Sequence, residues 1–187
     1  MSEFFLELFS EEIPANLQQN SRVALLNNFQ KLFKEKNIIF KKSESYSTPN
    51  RLIILFEGIS RETTQKAEEI KGPNVNAPEK AIDGFLRSNQ IKKKDLFKKK
   101  LEKGEFYFFK SSSKKIYTID LLKEQIPLIL DKIQWKKSMK WGNFNLNWGR
   151  PLKSILAVFD EKSLSFKFHH LTCSNTTFVD KEFEDKK

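Results

Sequence analysis

Between Lys136 and Asp160 the chain reads KKSMKWGNFNLNWGRPLKSILAVFD. It interleaves the cations Lys136, Lys137, Lys140 and Arg150 with the rings of Trp141, Phe144 and Trp148. Cations attract phosphate, and aromatic faces stack on unpaired bases. The pattern suits a nucleic-acid contact. It suits a plainer arrangement too, with the tryptophans drawn into a core and the lysines left on a wet surface. Directly behind lies Ile155-Leu156-Ala157-Val158-Phe159, short and rich in branched side chains, as a buried strand should be.

Other chemistry is thin. No glycine loop for phosphate and no His-Glu-x-x-His zinc motif occurs. His169 and His170 are the only histidines, and neighbours on a strand point to opposite faces, so a structural role is expected for them. Glu11 and Glu12 are adjacent acids before a helix start, where acids commonly complement the helix dipole. No self-contained catalytic machinery is evident, and no cofactor is expected in this chain.

Composition sets the frame. The 187 residues can enclose a real core, and a hydrophobic fraction of 39% with 18 Phe argues against disorder. A formal charge of +10 points to an acidic partner, nucleic acid first. Lysine supplies most of that charge in a chain also rich in Asn, Ile and Phe, a bias that makes any surface basic. Arg22, Arg51, Arg61, Arg87 and Arg150 run against the bias and are more telling, since the guanidinium fork grips phosphate or carboxylate bidentately. The single cysteine, Cys173, excludes an internal disulfide and fits a reducing compartment. The start is apolar but interrupted by acids, unlike a signal peptide, and no apolar run approaches the ~20 residues that span a bilayer. A soluble, cytoplasmic protein without membrane contact is expected.

The elements that must position these residues follow from periodicity. Phe4–Phe9 reads as a strand, and Pro14 opens a long helix with Leu25, Phe29, Leu32 and Phe33 on its buried face. Strands are expected over Lys41–Tyr46 and Arg51–Phe56, the latter inside its sheet because it is nearly all apolar. Thr63–Lys71 is ambiguous. A short helix follows over Pro78–Ser88, with Ala81, Ile82, Phe85 and Leu86 on one side. The lysine triplets 92–94 and 98–100 read as a solvated rim, ahead of a hairpin that turns at Lys103-Gly104. A second long helix covers Thr118–Ile133, and Pro127 should kink or divide it. A last hairpin pairs Leu152–Phe159 with Ser163–Phe168. Strands and helices mix without regular alternation, which predicts an α+β fold with mixed sheets and two long helices.

Several short motifs occur in fixed order: Glu7-Leu8-Phe9-Ser10-Glu11-Glu12-Ile13-Pro14, Thr48-Pro49-Asn50-Arg51-Leu52 and Lys71-Gly72-Pro73, then Ala77-Pro78-Glu79-Lys80-Ala81-Ile82-Asp83-Gly84-Phe85. Lys103-Gly104-Glu105-Phe106, Ser138-Met139-Lys140-Trp141-Gly142 and Arg150-Pro151-Leu152 complete the series. Together they resemble the N-terminal region of the beta subunit of bacterial tetrameric glycine–tRNA ligase. The likeness has departures: Lys136 stands where the family has proline, Lys140 where it has arginine, and Trp148-Gly149 precedes Arg150-Pro151. After Ser174-Asn175-Thr176-Thr177 the family continues Gly-His-Arg-Phe, whereas this chain reads Phe178-Val179-Asp180-Lys181.

The resemblance implies an opening module over residues 1–170, with a divergent tail at 171–187. It implies a module similar to the editing-type domain of the phenylalanyl-tRNA synthetase beta subunit. It also implies an alpha subunit that holds the class II aminoacylation site and uses ATP with Mg, and a glycine tRNA as partner. Arg51, Lys71, Lys140 and Arg150 would contact tRNA phosphate, while Trp141 or Trp148 stacks or packs. A motif arginine can equally brace the fold through a carboxylate such as Glu7 or Glu12. A scaffold module that touches no RNA, an editing hydrolase and a free-standing RNA-binding module are the competing roles.

Overall fold

A computed structural model describes residues 2–65, 67, 69–101, 104–111 and 113–178. The expected turn residue Lys103 and the last nine residues of the expected tail lie outside these. The chain forms two compact units, residues 1–63 with 116–187, and residues 64–115.

The larger unit is built on β1 (Ser2–Ser10), β2 (Lys42–Thr48), β3 (Arg51–Ile59), β9 (Leu152–Phe159) and β10 (Lys162–Ser163). They form an antiparallel sheet in the order β10-β9-β1-β3-β2. β3 is interior, as its apolar sequence requires, and β1 is central. Phe4, Leu6 and Leu8 are buried on one face together with Leu52, Ile54 and Phe56 of β3. Their two-residue spacing is the strand period.

Against that face packs α1 (Ala15–Glu35), in which Leu17, Ser21, Leu25, Phe29, Leu32 and Phe33 are buried at helical spacing. Phe33 meets Phe56 edge-on, with ring centroids 4.8 Å apart, and Phe29 lies 5.4 Å from Phe4. α1 ends where Asn37 turns left-handed (φ 54°) and Ile38 N–H donates to the Phe33 carbonyl at 2.8 Å, the pattern of a Schellman cap. α3 (Thr118–Asp131) buries Leu122, Ile126, Ile129 and Leu130. Its Thr118 hydroxyl donates to the Ser60 carbonyl at 2.6 Å. Pro127 does not divide α3: it removes one backbone donor, but the apolar stripe continues through Ile126 and Ile129 into the core.

In the smaller unit, β5 (Glu69–Asn74), β6 (Leu96–Leu101) and β7 (Gly104–Lys110) form an antiparallel sheet in the order β5-β7-β6, with α2 (Glu79–Asn89). The register slips between Lys71 and Asn74, at Gly72-Pro73. Proline cannot donate to the ladder, and a Cβ on Gly72 would sit 2.7 Å from the ring of Phe85, so the glycine is what lets that α2 ring lie against the strand. The helix buries Ile82, half-buries Phe85 and Leu86, and leaves Ala81 exposed, contrary to the expected face. The lysine triplets are exposed, as expected of a rim.

Two further pairs, β4 (Glu62–Gln65) with β8 (Lys114–Tyr117) and β11 (Lys167–Phe168) with β12 (Leu171–Thr172), complete the strands among the described residues. The fold is α+β with several sheets and, among the described residues, three α-helices rather than two long ones. The last hairpin is also shorter than expected, since only Lys162 and Ser163 pair with β9. Leu164 and Phe166 alternate like a strand because both side chains enter the core, 1% and 9% exposed. Leu164 N–H still donates to the Ala157 carbonyl of β9 at 2.9 Å, and the Phe166 carbonyl accepts from Cys173 N–H at 2.9 Å. No helix among the described residues is long and apolar enough to cross a membrane.

Candidate nucleic-acid interface

The aromatic and basic stretch becomes a loop between α3 and β9, closed at its base by a bridge. Met139 N–H donates to the Trp148 carbonyl at 2.8 Å, and Trp148 N–H returns the bond to Met139 at 3.1 Å. Trp148 itself is 1% exposed, with Trp135 tilted against it at 5.1 Å and Phe168 edge-on at 5.9 Å. Gly149 follows because Trp135 lies against the backbone: a Cβ there would stand 2.2 Å from a carbon of the indole ring. Trp148 is thus the packing member of the expected pair, with no face left for a base.

The tip has the opposite character. Gly142 takes a left-handed φ of 53°, and Phe144 N–H donates to the Trp141 carbonyl at 3.3 Å, so the chain reverses between the two rings. Phe144 is exposed, Trp141 half-buried, and Leu146 pins the returning strand in the core. Lys136, Lys137 and Lys140 are exposed.

The β11–β12 turn supplies a third ring. His169 and His170 occupy the turn rather than a strand, with His169 left-handed (φ 51°) and its Nε2 2.9 Å from Asp131 Oδ1 at the end of α3. That contact holds the turn beside the loop. His170 then lies parallel to Phe144, centroids 3.6 Å apart and planes 8° apart, while Trp141 meets it edge-on at 5.8 Å. Burial, with a smaller effect from His169, pushes the His170 pKa below the ordinary histidine value, which favours a neutral imidazole. Phe144 lies within the aromatic stretch but outside the candidate site residues, and the sequence pattern assigns His170 a structural role. An aromatic flanked by Gly142, Asn143 and Asn145 in a turn is the available signal, since such a turn has no core to enter.

The remaining candidates lie elsewhere. Arg51 points its Nε at Glu7 Oε2 at 3.3 Å, sits 4.7 Å over the Phe9 ring and donates to the Phe178 carbonyl. It is a brace between strands and tail, its guanidinium face occupied by a phenyl ring. Arg150 is half-buried and donates to the Gly149 carbonyl at 3.0 Å. Lys71 belongs to the smaller unit, where its ammonium lies 3.8 Å over the Phe106 ring. Of the six candidates, Lys140 and Trp141 are the two at the loop tip. Among the described residues no group of three metal-ligating side chains occurs.

The family model for the glycyl-tRNA synthetase beta subunit matches residues 4–187, nearly the whole chain. The chain belongs to that family. Glycine–tRNA ligase beta subunits of Rickettsia conorii, Rickettsia canadensis and Rickettsia typhi are each 40% identical to it over 187 residues. The chain spans 28% of the length of each of these relatives.

Several of the short glycyl-tRNA synthetase motifs meet at one corner of the sheet. Ser10 N–H donates to the Asn50 carbonyl at 2.8 Å, Ile13 N–H to Pro49 at 2.6 Å, and Glu11 N–H to Pro151 at 2.9 Å. The Thr177 hydroxyl donates to Glu7, and Phe178 stacks on Phe9 at 5.1 Å. These motifs are explained by backbone and ion-pair closure, whereas Met139-Lys140-Trp141-Gly142 enters the exposed loop.

Proposed function

We propose that this chain is the opening module of a glycyl-tRNA synthetase beta subunit. It supports ATP-dependent attachment of glycine by binding the glycine tRNA and by positioning subunits and domains. The alpha subunit holds the class II aminoacylation site and uses ATP with Mg, in a cytoplasmic heterotetramer, and this module performs no catalysis of its own. The observation that supports tRNA binding is the loop tip, where exposed Lys140 adjoins Trp141 and Phe144, with exposed Lys136 and Lys137 just ahead of the bridge at its base. On this reading Lys140 and Arg150 contact phosphate, Trp141 packs at the edge of the contact, and Lys71 is a separate phosphate contact of the smaller unit. The likeness to the editing-type domain of the phenylalanine enzyme belongs to the same proposal.

The test is binding of the chain to glycine tRNA and to an unrelated tRNA across ~50 to 200 mM salt, where phosphate contacts lose affinity steeply. A preference for glycine tRNA that survives the higher salt is expected. Equal binding that salt erases would leave the basic surface generic and place selection in other parts of the complex.

A second reading, a scaffold that touches no RNA, is favoured by the Glu7–Arg51 pair, which spends an arginine on internal bracing. Association with the alpha subunit combined with no tRNA affinity at any salt would select it.

A further inference from the structure

Between Asp131 and Asp160 the chain carries Lys132, Lys136, Lys137, Lys140, Arg150 and Lys153 and no acid. This span delivers Phe144 to the surface, and Phe144 has already given one ring face to His170 at 3.6 Å. It nevertheless remains 42% exposed. The exposed area therefore belongs to the opposite face and the edge, so a flat ligand can extend the column beyond Phe144. Asn143 and Asn145 are its neighbours in sequence and are exposed, so amide donors and acceptors are available in the same turn.

The column is held from below. His170 is fixed by the turn whose His169 contacts Asp131, and Trp141 closes the imidazole edge. A phenylalanine alone at a loop tip would lose ordering entropy on binding; one stacked in advance loses less.

We propose that Phe144, backed by His170, is a stacking seat for one unpaired nucleotide base, with Lys140 and its neighbours drawing in the adjoining phosphates. The inference rests on the tRNA-binding reading and narrows it to single-stranded RNA. A base inside a helix has both faces covered by its neighbours, whereas an unpaired one can lie on an aromatic ring. Exposed Lys136, Lys137 and Lys140 outnumber the acid at the turn, Asp131 against His169, and this excess of cations favours a polyanion over an apolar protein surface.

The test measures binding of the 187-residue chain, as wild type, Phe144→Ala, Phe144→Leu, Phe144→Tyr and Lys140→Gln, to three RNAs. These are a short oligouridylate, a blunt RNA duplex of equal charge and glycine tRNA. Stacking is worth ~1–3 kcal/mol per base, so Phe144→Ala should weaken oligouridylate binding ~5- to 150-fold with the salt slope unchanged. Phe144→Leu, which keeps the apolar volume without the π face, should fall with it, and Phe144→Tyr should retain affinity. Lys140→Gln should instead lower the salt slope by ~0.7 for each phosphate that is no longer neutralised. Unchanged melting temperatures would confirm that the variants fold.

Phe144→Leu binding oligouridylate like wild type, or wild type binding duplex as tightly as single strand, overturns the seat. Wild-type binding to tRNA without any effect of Phe144 overturns the seat and spares the tRNA-binding reading. No binding to any RNA overturns both. Loss of alpha-subunit association in Phe144→Ala, with RNA binding intact, makes the patch a protein interface and overturns the seat as well.

Discussion

Glu7 and Arg51 sit diagonally on neighbouring strands, with Arg51 Nε 3.3 Å from the Glu7 carboxylate and the two side chains only 8% and 18% exposed, respectively. Arg51 is registered opposite Phe9, two residues along from Glu7, which lets the guanidinium lie over the phenyl ring while it reaches the acid. The Thr177 hydroxyl and the Phe178 carbonyl complete the set. Three segments far apart in sequence are thus joined around one ion pair.

Removing one partner of a withdrawn pair leaves the other charge desolvated and uncompensated. Arg51→Ala should destabilise the fold by ~3 kcal/mol, the low end for a broken buried pair because the site retains some water. Arg51→Lys should recover part of that, since it restores the charge without the planar fork. Chemical denaturation measures both. RNA affinity of the folded Arg51→Ala protein should be unchanged, and a reduced salt slope would return Arg51 to the phosphate contacts.

Two glycines should respond in opposite directions. Gly149→Ala drives a methyl to 2.2 Å from Trp135, a ring that itself packs on Trp148, and overpacking of this kind costs ~1–3 kcal/mol. Gly84 lies inside α2 with nothing within 4 Å of its would-be Cβ, so Gly84→Ala should stabilise by ~0.5–1 kcal/mol through helix propensity. Thermal melts of the two variants decide the matter. A neutral Gly149→Ala would mean that Trp135 moves aside freely.

What the sequence discloses follows from what is local. The face of α1 is legible because Leu25, Phe29, Leu32 and Phe33 repeat at the helix period, and β3 because an unbroken apolar run has few other places to go. The Arg51 brace is half legible: Glu7 is a nameable partner, but only the antiparallel register brings two residues so distant in the chain within reach. Trp141 and Trp148 are alike in sequence and opposite in fate. The Met139–Trp148 bridge puts one inside and one at the tip, and nothing in the spacing encodes that bridge. The Phe144–His170 stack depends on a turn where the sequence pattern suggests a strand, so the adjacency of the two histidines points the wrong way. The segment after β10 is legible only in part: Leu164 N–H still bonds Ala157 of β9, whereas the Phe166 carbonyl pairs with Cys173, and burial at every second residue runs through both.

Cys173 is 9% exposed, and burial pushes its thiol up to about 11. The folded protein therefore favours the neutral thiol. Its contribution to stability is fully present below the ordinary thiol pKa and is lost as pH rises from there through about 11. Alkylation at neutral pH should be slow in the native state and fast in denaturant, because the thiolate is the nucleophile. Native labelling as fast as that of the unfolded chain would contradict the burial.

His170 should titrate below the ordinary histidine value of ~6.5, because burial and its neighbour His169 both disfavour the charged ring. A depressed histidine stabilises the fold above its unfolded pKa, and that contribution is lost as pH falls from there through the folded value. Between pH ~7 and ~5 the unfolded chain takes up a proton that the folded chain resists, so stability declines on acidification. His170→Phe keeps a ring against Phe144 and removes the proton site, so its stability should fall less over the same interval. Ring-proton NMR gives the midpoint directly, and paired denaturation curves at the two pH values give the stability difference. A midpoint above the ordinary value would mean that imidazolium attraction to the Phe144 face outweighs desolvation. The stack would then be a cationic one, able to attract phosphate itself as the solution becomes acid.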